Sequence, residues 1–404
     1  MLGKLRVISL FYLAMLAIFT SSAVGQTCTP PSSAVVAWPQ FQFDQCHAGY
    51  NPYERILSTA SVPSLALKWQ YSTSSGVATQ PALANGMLYF GADNGNVYAV
   101  NARTGALAWQ FATGDYIVRS TPAVSNHVAY VGSSNGSLYA LNAATGQLLW
   151  SYRTTSPIFS SPTIANGIVY FNTDEGDNTL YAVNATSGHL LWSYSTTAPI
   201  RSEAPTVAGG AIYFGTFNPD HKVYALNASS GALLWQYTAE ASVLSSPAVA
   251  NGVVYVGSSE PACGRGPACG HLHALRADTG ASLWQYDFDG FVPGSPAVAN
   301  GLVYLGVSPF PVGYGLYALN ADTGALRWRA VPDGLDNSSP VVANGVVYVG
   351  VTITLRAFDA QIGAELWRYT DNTQNFAPTV ANGMVYFPSW AGGHGGSVFA
   401  FGLP

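Results

Sequence analysis

The sequence predicts an all-β protein, an eight-bladed β-propeller built of four-stranded antiparallel blades. Three observations support this: the composition, a motif that recurs every 39 to 49 residues, and two chain ends that each supply part of one blade. Only 9% of the 404 residues are charged, whereas 42 are glycine and 24 are tyrosine. Long surface helices need charged outer faces, so this composition favours short strands joined by tight turns.

The first 25 residues have the three parts of a secretory signal peptide. Lys4 and Arg6 come first, an apolar run over residues 7–18 follows, and small residues end at Gly25. The apolar run is shorter than the roughly 20 residues that span a bilayer. We therefore expect an exported protein, periplasmic or extracellular, without a transmembrane segment. In this division, residues 1–25 are the signal peptide, 26–61 an N-terminal extension and 62–404 the propeller.

The repeat is recognised from its tryptophan. In every copy an alanine lies ten residues before the tryptophan and a glycine lies four before it. The seven copies end at Trp109, Trp150, Trp192, Trp235, Trp284, Trp328 and Trp367. A second recurring phrase of sequence, that is, a segment such as residues 246–257, precedes each motif. Length varies only after this phrase and after the tryptophan, which identifies those segments as loops.

Each repeat is predicted to form four strands. In the second repeat these are residues 118–124, 127–132, 137–142 and 148–153, in which Val, Tyr and Leu alternate with small residues. Turn-forming pairs such as Asn-Gly and Thr-Gly separate the strands. One such sheet cannot bury both of its apolar faces alone, but copies stacked around an axis can.

The chain ends predict a closed ring. The last unit stops after its third strand near Ala400, and a tryptophan strand over residues 67–71 precedes the first repeat. Joining the two completes an eighth blade and covers two exposed sheet edges. We expect Trp69 and the seven motif tryptophans to lie between neighbouring blades, against the backbone at a glycine and beside the motif alanine.

The motif Ala-x-(Asn/Asp)-x-x-(Thr/Ser)-Gly-x-x-x-Trp resembles the tryptophan-docking motif of the PQQ-repeat, quinoprotein-type propellers. The segment from Trp38 to Pro52 is similar to the lead-in of exported members, and the resemblance extends from Trp38 to the C-terminus. It implies one of two functions. Some members are dehydrogenases that carry pyrroloquinoline quinone (PQQ) and Ca²⁺ at the ring axis, and others are cofactor-free scaffolds such as the BamB-like proteins of outer-membrane barrel assembly.

Several departures separate this chain from both groups. It has no adjacent cysteines. A Cys-x-x-Cys-His haem motif ending at His47 would need its first cysteine at position 43, where this chain has Phe43. The residues before Cys28 do not form a lipidation site. The resemblance therefore carries over the fold and not the catalysis. We expect a binding or scaffold protein without cofactor, and the alternative is a PQQ- and Ca²⁺-dependent dehydrogenase acting on an alcohol or sugar.

The expected partner is a protein, a small molecule or a carbohydrate bound at the loop face of a monomeric ring. With 15 basic and 20 acidic residues, a net charge of −5 and no basic stripe, the chain is not expected to bind nucleic acid.

Residues that break the repeat symmetry are the site candidates, because packing needs the same residues in every blade. Two residues before the repeat proline the copies have Thr79, Ser120, Ser160, Glu203, Ser245, Gly294, Ser338 and Phe376. Glu203 is the one ionisable member. Polar residues within two positions of that site in other copies are Arg119, Arg201, Asp336, Asn337, Gln374 and Asn375.

These candidates have two interpretations. Glu203 with Arg119 and Arg201 could bind a carboxylate-bearing ligand such as a quinone, or place a base beside it. Asn337 and Asn375 would then be further ligand-binding candidates. In the dehydrogenase alternative, Glu203 or Asp336 acts as base and Arg119 or Arg201 contacts the quinone. The other interpretation is a hydrated ion pair in a water-filled axis.

Three loop features remain. The acidic loop at residues 174–178 is interpreted as a solvated turn rather than a Ca²⁺ site, because it lacks the length and spacing of a calcium loop. Residues 309–314 and 389–394 carry aromatics that either bind a partner or cover the face as a lid.

The cysteines support two alternatives. Cys263, Cys269, His271 and His273 form a conceivable zinc set. An exported protein with four cysteines more often forms disulfides, so we expect the pairs Cys263–Cys269 and Cys28–Cys46 and no bound metal.

Overall fold

A computed structural model describes residues 37–117, 119–174, 176–260, 269–308, 315–331, 338–370, 373–391 and 395–404. It confirms the predicted architecture, with eight sheets that follow one another along the chain, each built on four antiparallel strands. In most of them the four strands of the repeat are neighbours in sequence order, with the first strand innermost and the tryptophan strand outermost. The exceptions are the fifth sheet, which has an extra short strand, and the last sheet, whose outermost strand comes from near the N-terminus. No helix among these residues is long and apolar enough to cross a membrane.

Two strands, β1 (Tyr50–Asn51) and β2 (Ala66–Thr73), precede the first repeat, with a 3-10 turn at Val62–Ser64 between them. Blade 1 consists of β3 (Ala82–Ala84), β4 (Met87–Gly91), β5 (Asn96–Asn101) and β6 (Leu107–Ala112). Blade 2 consists of β7 (Ala123–Ser125), β8 (Val128–Gly132), β9 (Ser137–Asn142) and β10 (Leu148–Arg153). Blade 3 consists of β11 (Thr163–Ala165), β12 (Ile168–Asn172), β13 (Thr179–Asn184) and β14 (Leu190–Ser195). Blade 4 consists of β15 (Thr206–Ala208), β16 (Ala211–Gly215), β17 (Lys222–Asn227) and β18 (Leu233–Thr238).

Blade 5 consists of β19 (Ser242–Val243), β20 (Ala248–Ala250), β21 (Val253–Glu260), β22 (Cys269–Arg276) and β23 (Ser282–Phe288). Blade 6 consists of β24 (Ala297–Ala299), β25 (Leu302–Val307), β26 (Gly315–Asn320) and β27 (Leu326–Ala330). Blade 7 consists of β28 (Val341–Ala343), β29 (Val346–Val351), β30 (Thr354–Asp359) and β31 (Glu365–Thr370). Blade 8 consists of β32 (Gln374–Asn375), β33 (Thr379–Ala381), β34 (Met384–Trp390) and β35 (Gly396–Gly402), with β2 as its outermost strand.

The innermost strands are shorter than the sequence predicts. In blade 2 the expected strand over residues 118–124 pairs only from Ala123 onward. Pro122 has no N–H to donate to a ladder, and Arg119 has a φ of 66°, outside the extended region. The segment before the strand is therefore a loop, in which Arg119 is exposed whereas Ser120 and Thr121 are buried.

The ring closes as predicted. Strand β2 pairs antiparallel with β35, and Trp69 lies opposite Ala400. The first tryptophan strand thus completes the last blade, and both sheet edges that the chain ends would expose are hydrogen-bonded.

Each outer-strand tryptophan joins its blade to the next. Trp109 Nε1 donates to the carbonyl oxygen of Ala143 in blade 2 at 2.9 Å. The Tyr89 hydroxyl donates to the same oxygen at 3.1 Å. The indole covers Gly146, whose φ is 73° and where a Cβ would lie 2.7 Å from the ring. The same indole bond to a carbonyl of the neighbouring blade, at 2.9–3.2 Å, is made by Trp69, Trp150, Trp192, Trp235, Trp284, Trp328 and Trp367.

The segment before β2 closes the ring axis. We call residues 38–51 the axial plug. It makes a hydrogen bond with the innermost strand of every blade in turn, although this arrangement has no counterpart in the sequence repeat. The partners are Leu83, Val124, Ile164, Val207, Val249, Val298, Val342 and Val380.

His47 anchors the middle of the plug. Its ring is fully buried and lies between the hydroxyls of Thr163, 3.1 Å away, and Thr206, 2.9 Å away. Burial lowers the pKa of His47 to about 3, so the imidazole is neutral at pH 7. A neutral imidazole can accept one of these hydrogen bonds and donate the other, which links blades 3 and 4 at the axis.

Candidate functional site

A cavity of about 510 Å³ opens at one end of the axis. Its walls are the loops that precede the innermost strands and the turns between the second and third strands. Phe41 of the axial plug also lines it. We call this space the axial cavity. Loops on a rigid ring at such a position are a common place for a binding site.

The axial cavity brings together several candidates that sequence analysis selected. Arg119, Arg201, Glu203 and Gln374 all line it. The backbone of Asn375 belongs to the adjacent strand β32, but its side chain is outside the described part of the chain. Asp336 and Asn337, together with residues 309–314 and His394, also lie outside the described residues. Their roles stay predictions.

Glu203 is held by hydroxyl groups in the wall of the cavity. Its Oε2 accepts a hydrogen bond from the Ser295 hydroxyl at 3.4 Å, and the Ser339 hydroxyl also lowers the pKa of this carboxyl group. Burial raises the pKa of Glu203 to about 7, against the lowering effects of Arg119 and the two serines. The carboxyl group can therefore give up or take a proton near neutral pH.

A belt of serine hydroxyls fixes the loop that carries Glu203. The N–H of Ser161 donates to the Glu203 carbonyl oxygen at 2.7 Å, and the N–H of Ala204 donates to Ser246 Oγ at 2.8 Å. The belt continues from Ser246 to Ser295 at 2.9 Å and from Ser295 to Ser339 at 2.8 Å. These bonds connect blades 3 to 7 beneath the cavity and restrict the position of Glu203.

The two arginines have different surroundings. Arg201 Nε lies 3.5 Å from Asp174 Oδ1, and its guanidinium lies 4.8 Å from the centre of the Phe217 ring. Arg119 is exposed to the cavity and contributes a positive field at Glu203. Arg119 is therefore the cation more accessible to a ligand.

Two aspartates of the acidic loop, Asp174 and Asp177, engage protein groups. Asp174 pairs with Arg201, and Asp177 accepts hydrogen bonds from the hydroxyls of Thr155 and Tyr181, each at 2.9 Å. Among the described residues, no set of three or more His, Cys, Asp or Glu side chains is arranged to hold a metal ion.

Asp93 is a cavity carboxylate that the sequence analysis missed. It follows β4, and burial raises its pKa. Its Oδ1 is buried and has no hydrogen-bond partner within the described residues. A comparison of the turns between second and third strands could have found it, because Ser134 and Asp174 stand at the corresponding positions of blades 2 and 3.

Four aromatic side chains complete the lining: Phe41, Phe291, Phe376 and Trp390. Trp390 lies against Gly76, where a larger residue would collide with the indole, and it is 37% exposed. Aromatic walls beside two arginines suit a planar ligand with negative groups.

This lining can be tested against PQQ, a planar tricarboxylate. The arginines could receive its carboxylates, the aromatic walls could receive its rings, and the cavity is large enough. The Ca²⁺ that accompanies PQQ in the dehydrogenases would need several oxygen ligands. The described residues offer Glu203 and Asp93 but no complete set. The organic part therefore fits better than the metal.

The candidate zinc residues of blade 5 have other partners. His271 Nδ1 lies 2.8 Å from Asp287 Oδ1, and His273 Nε2 lies 2.8 Å from the Ser258 hydroxyl. Burial lowers the pKa of His273 to about 4. Cys28, Cys263 and the side chain of Cys269 are outside the described part of the chain, so both disulfide pairings stay predictions. Cys46 is buried in the axial plug.

Stability is expected to depend on the proton of Glu203. The folded-state pKa of about 7 lies above the ordinary value of 4.5, so the folded protein holds this proton where the unfolded chain releases it. The free energy of unfolding should therefore fall as pH rises from about 4.5 to 7 and then level off. Glu203→Gln should remove that dependence, most clearly between pH 6 and 7, because Asp44, with a pKa of about 6, contributes at lower pH.

Urea unfolding at a series of pH values measures this effect. Asp322→Asn, at an exposed turn, is the matched control and should leave the dependence unchanged. An unchanged slope in Glu203→Gln would show that the carboxyl group is not protonated in the folded protein at pH 6.

Comparisons with known proteins point to two groups. Residues 93–217, 200–265 and 268–401 match the family described as outer membrane protein assembly factor BamB. Residues 38–117 match the family described as glucose/ethanol/alcohol dehydrogenase, beta-propeller domain. The quinohemoprotein alcohol dehydrogenase of Comamonas testosteroni is 32% identical over 76 residues, which are 18% of this chain and 11% of that enzyme. The chain thus matches only about a tenth of that relative's length.

Solved structures share the fold at low sequence identity. BamB from Moraxella catarrhalis is 20% identical, with a TM-score of 0.66, 84% of this chain covered and 99% of that chain covered. The quinohemoprotein alcohol dehydrogenase from Comamonas testosteroni is 17% identical, with a TM-score of 0.74. The alignment covers 91% of this chain and 80% of that chain. At these identities the likeness establishes the architecture alone.

Proposed function

Since the chain belongs to the family of PQQ-repeat propellers described as outer membrane protein assembly factor BamB, we propose that it is an exported binding protein that takes up a ligand in the axial cavity. The ligand class is a small planar molecule with carboxylate groups. The observation that carries this proposal is the exposed Arg119 in a cavity with four aromatic side chains. The signal-peptide pattern of residues 1–25 supports export.

The remaining residues of the axial cavity support the same ligand class. Arg201 offers a second cation that its contact with Phe217 holds in place. Glu203, with a pKa of about 7, can accept a hydrogen bond from a donor group on the ligand, and Asp93 adds a second carboxylate to the lining. The serine belt keeps this lining in place before the ligand arrives, which reduces the entropic cost of binding.

Calorimetric titration with PQQ and with benzene-1,3,5-tricarboxylate, each with and without Ca²⁺, tests the proposal. We expect micromolar binding of PQQ. Arg119→Ala should weaken it by about tenfold or more, because a hydrogen bond to a charged group contributes about 1.5–3 kcal/mol. Arg276→Ala, at an exposed ion pair on the ring edge, is the control and should have no effect. Failure of both compounds to bind, or equal binding by Arg119→Ala, would contradict the proposal.

The second candidate function is a dehydrogenase that oxidises an alcohol or sugar. The observation in its favour is Glu203, because a carboxyl group with a pKa of about 7 can accept a substrate hydroxyl proton. PQQ, when bound, would supply the electron acceptor. Reduction of an artificial dye in the presence of PQQ, Ca²⁺ and an alcohol or aldose distinguishes the two functions. Turnover that Glu203→Gln abolishes would support the dehydrogenase, and binding without turnover would support the binding protein.

A further inference from the structure

A second pocket, of about 380 Å³, lies at the other end of the axis. It is lined by turns that follow the innermost strands of blades 5 and 6, whereas the axial cavity is lined by loops that precede them. The axial plug separates the two, since Phe41 lines the axial cavity and Phe43 lines this second pocket. We call it the rear pocket. It shares no lining residue with the proposed ligand site.

The rear pocket contains a carboxylate, that of Asp44. Asp44 is half-buried in its wall, and its Oδ1 accepts a hydrogen bond from the Cys46 N–H at 3.0 Å. The backbone N–H groups of His47 and Ala48 also stabilise the carboxylate. Within the described part of the chain, no Lys, Arg or His side chain forms an ion pair with Asp44. His47, its neighbour, is neutral and directed at two threonine hydroxyls. The pocket therefore carries a net negative charge at neutral pH.

Aromatic residues line the same pocket as this charge. The rings of Phe43 and Tyr53 have centroids 6.2 Å apart and planes inclined by 36°, and Tyr50 supplies a third ring. Tyr53 is 39% exposed, so its ring is accessible from solvent. Val249 and Val298 add apolar surface. Ring faces attract cations within about 6 Å of their centre, by roughly 0.5–1 kcal/mol at exposed sites.

The combination selects one class of ligand. A metal ion such as Ca²⁺ takes six to eight oxygen ligands, and one carboxylate with the amide groups of Asn251 and Asn300 falls short of that number. An anion would be repelled by the negative charge of Asp44. An alkylated ammonium group carries a diffuse, weakly hydrated positive charge that can contact a carboxylate and aromatic faces together.

We propose that the rear pocket is a second binding site, and that its ligand is a small organic cation with an alkylated ammonium group. The positive group contacts Asp44 and the partly exposed rings of Tyr50 and Tyr53, whereas the buried ring of Phe43 packs near Tyr53 from the core side. This site is independent of the axial cavity and of whichever ligand the cavity takes.

Titration with choline tests the proposal, and 3,3-dimethylbutan-1-ol serves as the neutral molecule of the same shape. Choline should bind, and the neutral analogue should bind at least about tenfold more weakly, as expected for the loss of an interaction of about 1.4 kcal/mol or more. Asp44→Asn keeps the size of the side chain and the acceptor oxygen but removes the charge, and should weaken choline binding about tenfold. Tyr53→Leu should weaken it about threefold, in line with the loss of one exposed cation–π contact.

Two controls keep the test decisive. Arg119→Ala, in the axial cavity, should leave choline binding unchanged, so failure of the proposed ligand site and failure of the rear pocket are distinguishable. If Asp44→Asn does not fold, Tyr53→Leu and the neutral analogue still test the site, because the Tyr53 backbone bond to Asn51 does not need the ring. Equal binding of choline and its analogue, no effect of Tyr53→Leu, or loss of binding in Arg119→Ala would each overturn the proposal.

Discussion

Deletion of residues 62–71 is expected to open the ring and unfold the protein. The deletion removes most of β2, and with it the hydrogen bonds to β35. It also removes Trp69, which covers Gly105 of blade 1 and donates to the carbonyl of Ala102. Leu65, which accepts the indole bond of Trp367 from blade 7, is lost as well. Both junctions of blade 8 are therefore damaged. A protein whose free energy of unfolding is about 5–15 kcal/mol is not expected to stay folded after such a loss.

Size-exclusion chromatography and thermal unfolding measure the result. The deleted protein should aggregate, because β35 becomes an unprotected edge strand. Leu67→Ala is the matched control, since Leu67 lies in β2 and is 46% exposed, and it should behave as the parent protein. A deleted protein that stays monomeric and melts at the parent temperature would contradict the closed ring.

Trp109→Ala is expected to cost about 3–5 kcal/mol of unfolding free energy, the range for large-to-small substitutions of buried aromatic residues. Trp109 is buried between blades 1 and 2, covers Gly146 and donates to the Ala143 carbonyl at 2.9 Å. Tyr89 still donates to that oxygen, so the loss comes mainly from packing and the cavity left behind.

Urea denaturation of Trp109→Ala beside Leu107→Ala gives the comparison. Leu107 lies two residues away on the same strand and is 46% exposed, so its substitution should change stability by less than about 0.5 kcal/mol. Gly146→Ala tests the same junction from the other side. It should also lower the free energy of unfolding, because its methyl group would collide with the indole and its φ of 73° disfavours alanine. Similar losses for Trp109→Ala and Leu107→Ala would show that the indole does not hold the blades together.

The fold was predictable because its determinants recur. The glycine four residues before each tryptophan is where the preceding blade's indole rests, as at Gly146, and the alanine ten before it lies opposite the indole, as Ala99 does for Trp109. The spacing of such residues is visible in one sequence. Closure was predictable from two incomplete units at the ends of the chain.

The axial plug was not predictable, because its partners are backbone groups in eight different blades. Its turns place Gln42, Phe43 and His47 at positive φ, and these residue types do not predict that conformation. For the same reason the sequence did not indicate Phe41 as a residue of the axial cavity, and it did not indicate the rear pocket at all. Glu203 and Arg119 were found because they break the repeat, whereas Asp93 lies at a repeat position that was not compared.

The axial plug also bears on the order in which this chain can fold. Leu83 pairs with Trp38, and Val380 accepts the side-chain bond of Asn51, so one short stretch near the N-terminus needs partners spread over some three hundred residues. A growing chain makes this stretch before all of its partners, and Val380 is the last of them. Such long-range pairing is slow, since the entropy of bringing distant parts together is lost before the contacts form. Synthesis of blades 1 to 7 therefore leaves an incomplete molecule with an open axis, and only the final blade allows the centre to be sealed.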